Sequence, residues 1–204
     1  VRDALYIWPS LPLVILYEGL SDSFGSVDNI IAGLERTDRV REIYLWGVRS
    51  SDSEILMTAM QQPFPELGLL AVGMNETVSF IPDSVLGGSA PRLEVLELMN
   101  VLFPGLPKLL LSATHLVELQ LISIPHSGYI SPDMMVTTLS MLTSLSYLKL
   151  KFASPRSCPD REIRRPSPSA RSVLSGLSFF EFSGVSEYLE DLRPRGPHRC
   201  PSTP

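Results

Sequence analysis

Between Pro91 and Val101 the chain reads PRLEVLELMNV, with leucines at 93, 96 and 98. That L-x-x-L-x-L spacing fits neither the 3.6-residue period of a plain amphipathic helix nor a simple alternating strand. It recurs. HLVELQL carries Leu116, Leu119 and Leu121, SLSYLKL carries Leu145, Leu148 and Leu150, and LSFFEF carries Leu177, Phe180 and Phe182. Upstream, RVREIYL offers Val40, Ile43 and Leu45, ELGLLAV offers Leu67, Leu70 and Val72, and LPLVIL offers a weaker first copy at Leu11, Val14 and Leu16. The first anchors stand at 11, 40, 67, 93, 116, 145 and 177, so successive copies lie 29, 27, 26, 23, 29 and 32 residues apart. Chance supplies one or two such matches in a leucine-rich chain, whereas seven at quasi-regular spacing indicate repetition.

The segments between the copies predict a return path for each strand. SVDNIIAGLERTD reads as a helix capped by Ser26, with Ile30, Ile31 and Leu34 as its apolar stripe. SDSEILMTAMQQ reads as a second helix, with Ile55, Leu56, Ala59 and Met60 on one face and Pro63 as its stop. PDSVLGGSAP is short and Gly-rich and should form only a turn or two. PGLPKLLLSATH predicts a short helix starting near Pro107 that buries Leu109 to Leu111. SPDMMVTTLSMLTS predicts another, started by Ser131 and Pro132, that buries Met135, Leu139 and Leu142.

Strands joined by helical crossovers pair in parallel, because each crossover returns the chain to the same edge. A doubly wound sheet meets that condition too. The recurrence of one short strand signature at a roughly 20–29 residue period favours leucine-rich repeats instead. The expected fold class is therefore α/β: an irregular leucine-rich-repeat right-handed solenoid, with parallel strands on the concave face and helices on the convex face. About seven repeats would span residues 1–192. The consensus asks for Asn or Cys three positions past the last strand leucine, to satisfy turn backbone groups. Asn75 meets this and Asn100 falls one position early, so irregular repeats are expected.

In such a strand the fourth and sixth positions of the pattern point inward, and the third, fifth and seventh face out. The outward sets are Glu42, Tyr44 and Trp46; Leu69, Ala71 and Gly73; Val95, Glu97 and Met99; Glu118, Gln120 and Ile122; Tyr147, Lys149 and Lys151; and Phe179, Glu181 and Ser183. From these the candidate partner-binding residues are Tyr44, Trp46, Glu97, Met99, Glu118, Gln120, Tyr147, Lys149, Lys151 and Glu181. Tyr44, Trp46 and Tyr147 are the expected anchors, since aromatic side chains dominate interface hot spots. The competing reading is that variable residues merely decorate an exposed sheet face.

Composition removes several function classes. At 204 residues and 44% hydrophobic the chain can bury a substantial core. Its formal charge of −5 gives no electrostatic case for nucleic acid. Charged residues make up only 19%, which suggests extensive burial or an apolar surface kept for a partner. No apolar run is long enough to span a bilayer, and no signal peptide is visible. Cys158 and Cys200 make no disulfide framework, and with three scattered histidines they make no metal spacing. A reducing compartment, cytoplasm or nucleus, is expected. The chain starts at Val1 rather than Met, as a fragment of something longer would.

Catalytic signals are weak. His126 precedes Ser127 in IPHSGYISP, but adjacent residues point apart and a nucleophilic serine needs a convergent base and an orienting acid. LGGSAP, with Ser89, lacks the closing glycine of G-x-S-x-G. A small serine hydrolase built on Ser127 or Ser89 is the third-ranked reading, and the expectation is no enzyme. No phosphate loop or dinucleotide fingerprint implies a cofactor. Glu54, Glu76 and Asp83 read as isolated surface acids, and EYLEDL as the exposed side of a short helix. Residues 154–171 hold five arginines and four prolines, and read as a basic Pro-rich insertion that lengthens the last gap.

Longer phrases carry a more specific likeness. DNIIAGLERTDRVREIYL, MQQPFPEL, PDSVLGGSAPRLEVLEL, FPGLPKLLLSATHLVEL, IPHSGYISPDMMVTTLSMLTSL, SPRSCPDREIRRP and GVSEYLEDL together cover most of residues 4 to 192. This succession resembles the C-terminal region of fungal F-box/leucine-rich-repeat proteins. The resemblance implies that an N-terminal F-box docks on the Skp adaptor of a cullin-based ubiquitin ligase, while the repeats select the protein to be ubiquitinated. No F-box lies within these residues, so the likeness assigns adaptor binding to none of them. It leaves an unknown protein substrate on the concave face, with no nucleic acid and no membrane. A leucine-rich-repeat scaffold or sensor outside ubiquitin chemistry is the alternative. After Leu192 the chain reads RPRGPHRCPSTP, without periodic apolar positions, so residues 193–204 are expected to be a disordered tail.

Overall fold

A computed structural model describes residues 10–19, 27–74, 79–125, 128, 130–153, 174, 176–184 and 188–189. Ser26, Asn75, Glu76, His126, Ser127, Glu187, Glu190, Asp191, both cysteines, the 154–171 insertion and the 193–204 tail lie outside the described residues. Strands and helices alternate along the chain. They are β1 (Leu13–Glu18), α1 (Val27–Leu34), β2 (Val40–Val48), α2 (Ser50–Ala59), β3 (Leu69–Met74), β4 (Ser79–Phe80) and a 3-10 turn at Val85–Gly88. Then come β5 (Val95–Met99), β6 (Val101–Leu102), α3 (Leu106–Ser112), β7 (Glu118–Ile124), α4 (Pro132–Met141), β8 (Tyr147–Phe152) and β9 (Phe179–Ser183). Seven strands form one open sheet in the order β1-β2-β3-β5-β7-β8-β9, and β4 pairs with β6 beside it. Every pairing among the described strands is parallel.

The register brings the recurrent apolar positions into rows. Ile15, Ile43, Leu70, Leu96, Leu119, Leu148 and Phe180 are successive partners across the sheet. Tyr17, Leu45, Val72, Leu98, Leu121, Leu150 and Phe182 form the next row. Each strand from β3 onward in the main sheet is entered through the same i→i+3 turn: Leu67, Leu93, Leu116, Leu145 and Leu177 donate their N–H to the carbonyls of Phe64, Ala90, Ala113, Leu142 and Leu174. The rows and entry leucines, apart from Phe180 on β9, which is 44% exposed, join one hydrophobic core with Leu34, Leu56, Leu109, Leu110, Met135 and Leu139 from the four helices and Met60 just past α2. The helices therefore pack on one face of the sheet, and burial of these side chains supplies the main driving force.

Cap chemistry explains where α4 starts. Ser131 is extended, and its hydroxyl accepts from the Met134 N–H at 3.3 Å, with Pro132 in the first turn. Met135, Leu139 and Leu142 are buried as expected. The Gly-rich return is indeed a single 3-10 turn, held by the Leu86 N–H on the Met60 carbonyl at 2.7 Å.

The structure corrects five sequence expectations, one of them at Phe180, which the pattern places inward in the last copy and which is 44% exposed on β9. In the first copy the spacing places Leu11, Val14 and Leu16 inward, yet each is over half exposed and the inward pair is Ile15 and Tyr17. That is a one-residue slip, which exchanges the faces of a whole strand. In α1 the deepest residues are Ala32, Gly33 and Leu34, while Ile30 and Ile31 are only part-buried. In α2, Ile55 is 51% exposed and Met57 replaces it inside beside Leu56 and Met60. In α3, Leu106 replaces Leu111, which faces out. The helix slips share a cause: runs of adjacent apolar residues leave the helical phase ambiguous, and docking on the strands selects it.

Candidate protein-binding face

The other face of the sheet carries the outward residues, again in register. One row runs Val14, Glu42, Leu69, Val95, Glu118, Tyr147, Phe179. The middle row runs Leu16, Tyr44, Ala71, Glu97, Gln120, Lys149, Glu181. A third begins Glu18, Trp46, Gly73, Met99, Ile122. All ten candidate residues therefore lie on this face, and each is part-exposed. The strand pleat places them there, because each lies between inward residues.

The face is not uniform. Its β1–β3 half exposes large apolar groups, Val14 and Leu16 at 52% beside Tyr44, Trp46 and Leu69, with the carboxylates Glu18 and Glu42 among them. The Trp46 ring occupies the space over its cross-strand neighbour Gly73. A Cβ on Gly73 would come within 2.2 Å of Trp46 Cε3 and 3.2 Å of the Met99 methyl. Gly73 is thus the floor on which the indole rests, with the Met99 methyl near the same spot. Tyr44 donates its hydroxyl to Glu42 Oε2 at 2.9 Å, which fixes its ring. Burial, then the bond to Glu42 and its charge, raise the Tyr44 pKa.

Two more carboxylates, Glu97 and Glu118, stand on β5 and β7. Glu118 Oε1 accepts from Gln120 Nε2 at 2.6 Å. Glu97 is part-buried, and among the described residues its side chain has no hydrogen bond or ion pair. Burial first, and Glu118 second, hold its carboxyl above the ordinary range, with Lys149 pulling the other way. At β8–β9 the charges close on themselves. Glu181 accepts from Lys151 Nζ at 2.6 Å and from Lys149 Nζ at 3.4 Å. The Lys151 bond lowers the Glu181 pKa, slight desolvation opposes it, and Lys149 adds to the lowering. Tyr147 stacks on Phe179 with centroids 4.3 Å apart.

Sequence reasoning missed Val14, Leu16 and Glu18 on this face, as a result of the slip in the first strand. The available signal was Glu18, since a strand with Glu18 inward would bury a carboxylate. Of the suggested chemical residues, Ser89 is exposed, and among the described residues no histidine or carboxylate bonds its hydroxyl. Glu54 and Asp83 are exposed as expected. Among the described residues no cluster of three or more His, Cys, Asp or Glu is arranged to hold a metal ion. No helix among them is long and apolar enough to cross a membrane. Comparison with protein-family models, with curated proteins and with solved structures found no match.

Proposed function

We propose that this chain is a protein-recognition module, an irregular leucine-rich-repeat arc whose open sheet face binds a partner. Three features support the repeat reading. The strands follow one another in the sheet in chain order, the apolar rows run across all seven, and the entry turn recurs. Left-handed backbone recurs as well. Gly47, Asn100 and Ser123 have φ of 64°, 56° and 53°, each directly after the last outward residue of its strand. Asn100 thus serves the turn one position before the consensus place, where Asn tolerates left-handed backbone. The binding reading rests on one observation: the face opposite the helices keeps large apolar side chains in water, Val14 and Leu16 beside Trp46.

By its resemblance to fungal F-box/leucine-rich-repeat proteins, the module would serve as the substrate-recognition region of an adaptor of a cullin-based ubiquitin ligase, acting in the cytoplasm or nucleus. The test is native co-purification of the full-length protein. Recovery of the Skp adaptor together with a substrate that is lost on Trp46→Ala supports this role. Partner capture without the adaptor would move the protein to the scaffold or sensor class.

A further inference from the structure

The open face has an unbalanced charge pattern, and the imbalance specifies a partner chemistry. On β1, β2, β3, β5 and β7 the outward positions supply the carboxylates Glu18, Glu42, Glu97 and Glu118 and no lysine or arginine. The two lysines of this face stand on β8, and Glu181 engages both. Glu42 and Glu118 accept hydrogen bonds from Tyr44 and Gln120, which are neutral donors and leave the negative charges uncompensated. Glu97 is diagonal to Glu118, since Glu97 pairs with Gln120 and Glu118 with Val95. Two carboxylates therefore share a part-buried site floored by apolar side chains, with Met99 and then Trp46 on one side.

We infer that this face takes a partner segment presenting a basic side chain beside an apolar one, the cation seated at Glu97 and Glu118 and the apolar group against Trp46 and Leu16. The inference rests on the protein-binding reading above and adds the chemistry of the partner. Arginine fits best. Its stem packs on apolar surface while its planar fork meets two carboxylate groups, which a compact ammonium does less well. The elevated carboxyl of Glu97 agrees, because an apposed cation offsets the burial and the Glu118 charge that disfavour its ionised form. An acidic or phosphorylated segment would instead meet like charge in a part-buried setting.

The test is selection from a displayed random-peptide library on the purified 204-residue chain. The expected result is enrichment of peptides carrying Arg or Lys next to Leu, Phe or Trp. Their affinity should fall about tenfold or more for the Glu97→Gln, Glu118→Gln double variant and stay unchanged for Glu54→Gln on the helix side. High salt should weaken them several-fold. Enriched peptides that depend on Trp46 but are neutral or acidic, and indifferent to the double variant, would overturn this inference and keep the protein-binding reading. Peptides indifferent to Trp46 and to both glutamates would overturn both. Thermal melts of each variant confirm that the fold is unchanged.

Discussion

Leu96 and Glu97 are neighbours in β5, yet they belong to different worlds of constraint. Leu96 continues a row in which every strand offers a large apolar side chain, and it is fully buried. Glu97 continues a row that reads leucine, tyrosine, alanine, glutamate, glutamine, lysine, glutamate. The inward face is uniform because neighbouring strands must fill one shared volume at near-crystalline density. The outward face follows no common rule, because no packed layer dictates its residues. Stability should thus reside in one face and recognition in the other. Gly73 is where the two meet, since an outward glycine sets the position of an outward tryptophan.

Substitutions can break or sharpen that contrast. Leu96→Ala should cost roughly 2–5 kcal/mol by chemical denaturation, whereas Met99→Ala on the opposite face should cost less than about 1 kcal/mol. Equal costs would erase the distinction. Gly73→Val is the informative exception. Valine favours strands, yet here it strikes the Trp46 ring, so a loss of about 1–3 kcal/mol and altered indole fluorescence in a Trp8→Phe background are expected.

Tyr17 shows how the inward row accepts a polar atom. Its hydroxyl donates to Asp52 Oδ2 at 2.6 Å, so Tyr17→Phe should cost on the order of 1 kcal/mol. Burial first, then the bond to Asp52, push its pKa up to about 12. The stability tied to this shift is present below the ordinary tyrosine value and lost as pH rises through about 12, a loss absent in the phenylalanine variant.

The smallest effects oppose each other in sign. The raised carboxyl of Glu97 makes its contribution present at low pH and lost as pH rises through the folded value, so Glu97→Gln should raise Tm near pH 7 and matter little near pH 3. Glu181 is lowered, so its contribution is present above the ordinary glutamate value and lost as pH falls through the folded one. Glu181→Gln should accordingly lower Tm near pH 7. Melts of both variants at the two pH values check the pair.

How far these features were legible depended on contrast between faces. In β5, β7 and β8 a leucine alternates with Glu, Gln, Met or Lys, and the register followed directly. LPLVILYE lacked that contrast. Val14 and Leu16 are apolar on the open side, and Tyr17 is inward with its hydroxyl satisfied by a residue 35 positions away. Alternation carries no phase when both faces are apolar, so the leucine spacing sets the first strand one residue out. Helix phase failed at Ile55 and Leu111 for a related reason, since ILM and LLL runs fit more than one stripe. The apolar floor of the site was legible only in part: Gly73 was placed outward, but nothing in the sequence pairs it with Trp46, because that contact spans two strands.

The most direct test of the central claim is oxidative footprinting of the full-length protein with and without a co-purified partner. Trp46 and Met99 report on the open face, and Met134 and Met141 of α4, 45% and 53% exposed, report on the helical one. Binding through the open sheet face predicts that the partner suppresses oxidation at Trp46 and Met99 and leaves Met134 and Met141 unchanged. Protection of Met134 and Met141 with Trp46 and Met99 still reactive would contradict it.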